Sequence, residues 1–192
     1  VFNRWAGPLI TTLILVGVAA ILLLNLNTSP PRRTPEPRAP SSGGSECPIG
    51  DEAIKNHMQI AAVWLPAIQM DGMPSMSSDI IHIEADIHAT EGNPNGFALG
   101  EFVPYLKVKY AIAPASGGAP IHQGEMVPMV ASDGLHYGAS VSMPRAGQFR
   151  LTYDIEPPTA TLGRHSDPVT GVAPWWKPFQ VSFDWDFKPD CR

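Results

Sequence analysis

Residues 149–155 read FRLTYDI, so that Phe149, Leu151, Tyr153 and Ile155 alternate with Arg150, Thr152 and Asp154. A period of two belongs to a β-strand with one face in a core and the other in water. The same alternation recurs where Val181, Phe183, Trp185 and Phe187 are separated by Ser182, Asp184 and Asp186. It recurs again where Leu106, Val108, Tyr110 and Ile112 are interleaved with Lys107 and Lys109. Segments 58–65 and 79–89 supply two more strands. Turn chemistry lies between the runs, at Asn93-Pro94-Asn95-Gly96, Gly117-Gly118, Asp133-Gly134 and Ala146-Gly147. Several such strands, with neither a convincing amphipathic helix nor a solenoid repeat, predict an all-β fold, an immunoglobulin-like antiparallel β-sandwich.

Upstream of this domain the character changes. Trp5 to Leu24 carries no charge, which is enough helix for a hydrocarbon core of about 30 Å. The reading is a single transmembrane helix preceding the sandwich, residues 1–26. A cleaved signal peptide is the second reading; its apolar region would be shorter and would end in small residues rather than Asn25-Leu26-Asn27. Arg4 lies before the span and Arg32, Arg33 and Arg38 after it, so the distribution of positive charge leaves orientation open. Residues 27–46, with Pro30, Pro31, Pro35, Pro37, Pro40 and the run SSGGS, read as a semi-extended spacer. The folded domain is 47–192.

Composition narrows the function. The 192 residues carry 13 basic and 18 acidic side chains, net −5, with no basic stripe, which argues against nucleic acid as a partner. No GxGxxG, Walker A, HExxH or GxSxG pattern occurs, and no nucleophile–base pair or paired acid carboxylates can be identified; the chain reads as not an enzyme. All six histidines fall after Cys47, in a domain with excess acid, which favours cations. Cys47 and Cys191 stand at the two ends of that domain. Beside a membrane anchor they read as one disulfide in an oxidising compartment, nominally worth about 5 kcal/mol for so long a loop; two buried thiols are the alternative. The bridge would put the domain on the periplasmic or extracellular side.

Three stretches carry chemistry. In DIIHIEADIHA (79–89), alternation puts His82, Glu84, Asp86 and His88 on one face. Neighbours on that face stand about 6.6 Å apart at Cα, within reach of one ion, although a solvated outer face has the same pattern. In the second stretch, Met126 and Met129 precede Gly134 and His136. A thioether near an imidazole across a glycine turn suits copper, while methionine packed in a core is the plainer reading. In the third, GRHSD (163–167), His165 is a lone loop histidine that spacing alone does not single out.

In order along the domain, MQIAAVWL (58–65), DIIHIEADIHA (79–89), NPNGF (93–97), PYLKVKY (104–110), PMVASDGLHYGA (128–139), GRHSDPVTGV (163–172) and WWKPFQVSF (175–183) together resemble one family. It is the periplasmic Fe(II)-transport-associated family, copper-binding proteins that accompany Ftr-type iron permeases. The resemblance implies an immunoglobulin-like sandwich, usually a homodimer, with copper held by His82, Met129, His136 and His165. It also implies that Glu84 serves a second metal position, possible for iron, joined by Met70 or Met73, and that Asp86 and His88 are supporting residues.

The implied role is iron uptake, by presenting iron to a permease or assisting its redox state. Affinity is expected to fall as pH drops through about 6.5, where ordinary imidazoles protonate. The anchor, the spacer and the cysteine pair depart from the family pattern. They suggest a single-pass protein of the inner membrane with its C-terminal domain in the periplasm, bound to integral membrane partners. The alternative function is a non-catalytic accessory subunit of a larger respiratory or photosynthetic complex.

Overall fold

The computed structural model describes residues 46–72, 76–143 and 145–190. The expected anchor, the spacer before Glu46, Met73 and Cys191 lie outside the described residues. Within them the chain forms β1 (Cys47–Pro48), β2 (Ala53–Lys55), β3 (Met58–Pro66), β4 (Ile80–Ala89), β5 (Lys107–Pro114), β6 (His122–Glu125), β7 (Val127–Ala131), β8 (Gly134–Ser142), β9 (Gly147–Glu156) and β10 (Phe179–Phe187). No helix among the described residues is long and apolar enough to cross a membrane.

The strands make an all-β sandwich of two antiparallel sheets. The larger sheet runs β1-β3-β4-β8-β7, with β2 also paired to β3; the other runs β10-β9-β5-β6. Alternation decides what each strand buries. From the larger sheet, Met58, Ile60 and Trp64 of β3, Ile81, Ile83 and Ile87 of β4, and Tyr137 and Val141 of β8 enter the core. Val108 and Ile112 of β5, Leu151, Tyr153 and Ile155 of β9, and Phe183, Trp185 and Phe187 of β10 meet them from the other side. Trp64 and Phe187 touch edge-on across the sheets at 5.1 Å between ring centroids, a favourable arrangement of ring quadrupoles.

Two tyrosines fasten the interior. Tyr137 Oη donates to the Val103 carbonyl at 2.7 Å and accepts from the Leu106 N–H at 2.9 Å. Tyr153, on the smaller sheet, donates across the sandwich to the backbone carbonyl of Glu84 at 2.8 Å. Each buried hydroxyl is therefore satisfied, as burial demands. Cys47 is buried in β1, opposite Trp64.

A candidate metal centre on the outward face of β4, β8 and β7

The site is built by register. Antiparallel pairing sets Glu84 of β4 opposite Gly138 of β8, and His82 opposite Ser140. On the far side of β8, Met129 of β7 stands directly opposite His136. The connection is a tight turn, with Ala131 paired to Gly134, whose φ of 137° few other residues adopt. Because side chains alternate, His82, Glu84, Met129, His136 and Gly138 all fall on the face turned away from the core.

Facing outward does not leave these groups wet. His82 is 0% exposed, and Glu84 and His136 are each 4% exposed. His82 Nε2 lies 3.6 Å from Glu84 Oε1 and His136 Nε2 lies 3.4 Å from the same oxygen. Neither approach makes a hydrogen bond, and both Nε2 atoms are buried without a partner. Donor atoms of His82, Glu84 and His136 all lie within 4.8 Å of one another.

Gly138 completes the cradle. A Cβ at that position would stand 2.6 Å from His82 Nε2 and 2.9 Å from Met129 Sδ. Met129 thus reaches the histidines, while Met126 is buried in the core; the two methionines divide between the two readings that the sequence leaves open.

Electrostatics follow from burial. Desolvation, reinforced by His136, brings His82 down to about 4, and burial lowers His136 against the pull of Asp133. Burial, then Asp86, Glu46 and Asp133, pushes Glu84 up to about 8. His82 therefore stays neutral well below 6.5 and His136 is shifted in the same direction, so the expected loss of ligation at the ordinary histidine value moves to lower pH at His82. Near pH 7 the metal-free carboxyl of Glu84 holds its proton.

The donors suit a transition metal: two imidazoles whose Nε2 atoms have no hydrogen-bond partner, a thioether, and a carboxyl that gives up its proton on binding. His82 keeps its Nδ1 contact with Ser140 Oγ at 3.5 Å. Thioether and imidazole together match copper, and the carboxylate is a harder donor better matched to iron. His165 is not among the converging side chains. It is exposed in the β9–β10 loop, bonded through Nδ1 to Thr170. Met70 is half-buried. Asp86 and His88 lie further along the outward face of β4 and are half-buried. Sequence reasoning passed over Gly138, whose importance depends on long-range register, and over Glu46 and Asp133, whose charges act on Glu84 from other segments.

A family model described as Fe2+ transport protein matches residues 43–189. A UPF0423 protein of Brucella abortus is 43% identical over 147 residues, covering 72% of this chain and 80% of that protein. The structure of FetP from uropathogenic Escherichia coli superposes with a TM-score of 0.70 at 45% identity, covering 76% of this chain and 97% of that one. Copper-reconstituted P19 of Campylobacter jejuni gives 0.69 at 41% identity, covering 75% and 97%.

Proposed function

This chain belongs to the Fe2+ transport protein family, and on that premise we propose that it is a periplasmic copper-binding protein of iron uptake, anchored in the inner membrane. The observation that carries the reading is the pair of buried, unpartnered Nε2 atoms of His82 and His136 facing Glu84. Buried polar atoms in folded proteins are mostly satisfied. Trp176 and Trp185 Nε1 also have no partner, but the two imidazole nitrogens are acceptor-capable and converge on a carboxyl, so one bound ion would satisfy both. His82, His136 and Met129 would hold copper, and Glu84 would serve a second position for iron. When bound, the metal supplies one-electron chemistry; the chain supplies a fixed, water-poor donor set.

His165 is the remaining member of the ligand set. Its place on an exposed loop, outside the cluster, fits delivery from a second copy in a homodimer. The reading extends to residues 1–26 as a transmembrane anchor, 27–46 as a spacer, a Cys47–Cys191 disulfide closing an immunoglobulin-like domain, and an iron permease as the partner to which iron is presented.

The test is copper titration of the full chain in mild detergent. His136→Ala should weaken binding by at least about 100-fold, more than the loss of a residue that only supports a ligand; unchanged affinity would overturn the assignment. Co-isolation with an iron permease supports the uptake role. A fixed ratio to cofactor-bearing subunits, without bound metal, would favour the accessory-subunit alternative.

A further inference from the structure

The loop around His165 has its own internal order. His165 Nδ1 lies 2.8 Å from Thr170 Oγ1, and Thr170 Oγ1 donates to Asp167 Oδ2 at 2.6 Å. Asp167 Oδ1 meanwhile accepts the backbone N–H groups of Val169 and Thr170, both at 2.9 Å. Two backbone bonds close the loop, Gly171 N–H to the Asp167 carbonyl at 2.9 Å and Val172 N–H to the His165 carbonyl at 3.0 Å. Position 171 has room for no side chain, because a Cβ there would stand 2.3 Å from the Asp167 carbonyl oxygen.

A threonine hydroxyl has one hydrogen, and a carboxylate can only accept. Once Thr170 gives its hydrogen to Asp167, it has only a lone pair to offer His165. The imidazole must then carry its hydrogen on Nδ1, which leaves the lone pair on Nε2. The hydrogen bond made by one ring nitrogen decides whether the other can bind a metal.

We propose that Thr170 and Asp167 are positioning residues that fix His165 as the Nδ1–H tautomer and present Nε2 as a ready metal donor. This rests on His165 belonging to the ligand set proposed above. The device resembles a carboxylate holding a ligand histidine, with a hydroxyl interposed.

The test reads the ring directly. In metal-free full chain with isotopically labelled histidine, two-bond proton–nitrogen correlation should show His165 protonated at Nδ1 and bare at Nε2. Asp167→Asn reverses the polarity of the relay: its amide donates to Thr170, Thr170 donates to Nδ1, and the ring becomes Nε2–H. Thr170→Val should also release the Nδ1–H preference, and Thr170→Ser should restore it. Copper affinity should fall about tenfold in the first two variants and stay unchanged in the third. Unmoved His82 and His136 ring signals establish that each variant is folded. An Nε2–H ring in the wild type, or one tautomer shared by the wild type and Asp167→Asn, would overturn the proposal. If His165→Ala leaves copper affinity unchanged, the ligand set fails, while the ring signals still decide the relay.

Discussion

The sandwich has two outward faces, alternating in sequence in the same way and opposite in chemistry. On the smaller sheet, Arg150 meets Asp184 at 2.9 Å, Thr152 meets Ser182 at 2.9 Å and Gln148 meets Asp186 at 2.7 Å, each pair directly opposed across β9 and β10. These groups are paired and largely in water. On the larger sheet, His82, Glu84 and His136 also alternate with core residues, yet they are buried and two ring nitrogens have no partner. Alternation therefore assigns a side chain to a face but does not say whether that face is solvated. An unsatisfied buried polar group costs about 1–3 kcal/mol, a cost the paired, solvated groups of the smaller sheet do not carry.

The contrast is broken most severely at Gly138. Gly138→Ala forces a methyl into the space between His82 Nε2 and Met129 Sδ. The His82 ring has no room to swing aside in a close-packed setting, so copper affinity should drop by at least about 100-fold, comparable with loss of a ligand and beyond a supporting residue. The β8 pairings on both sides should persist, and an unaltered far-ultraviolet spectrum beside calorimetric copper binding checks both halves.

A smaller effect separates the faces by pH. Glu84 titrates near 8 in the metal-free fold and near 4.5 in an unfolded chain, so between those values the native state keeps a proton that the unfolded state has released. Its contribution to stability is full below about 4.5 and lost as pH rises through 8. His82 has the opposite sense: its contribution is lost as pH falls from 6.5 to about 4. Between pH 6.5 and 8 the carboxyl therefore dominates. Urea midpoints of metal-free protein should decline across that window, and Glu84→Gln should flatten the decline; a persisting slope would locate the cause elsewhere.

The smallest effect belongs to the wet face. Arg150→Ala removes an exposed ion pair and should change stability by no more than about 1 kcal/mol, with copper affinity untouched. Denaturation and titration of the same sample test the claim.

Legibility divided along the same physical lines. β5, β9 and β10 were legible because bulky apolar residues alternate along them, whereas in β3 and β4 Ala62 and Ala85 occupy core positions between larger residues. β7 carries Pro128, tolerable because β7 ends its sheet, and β8 carries Gly138, Ala139 and Ser140, whose small side chains dilute the pattern. The meeting of Met129 with His136 was nonetheless readable, since a tight turn between them fixes the pairing locally. The convergence of His82 on the same point was not, because it depends on the register of β4 against β8, set by contacts more than fifty residues apart. The family resemblance names His82, Met129, His136 and His165 as candidate donors; the coordinates expose Gly138 as the space between His82 and Met129. The Asp167–Thr170 relay lies at the other extreme, being local enough to be sought in any sequence as a short polar motif around a histidine.

Tyr153 adds a mechanical consequence. By donating to the Glu84 carbonyl from the opposite sheet, it anchors the strand that bears two donors to the scaffold behind it. Prying the layers apart must tug on that strand, and an ion gripped by β4, β8 and β7 would stiffen the larger sheet at the point where the hydroxyl pulls on it.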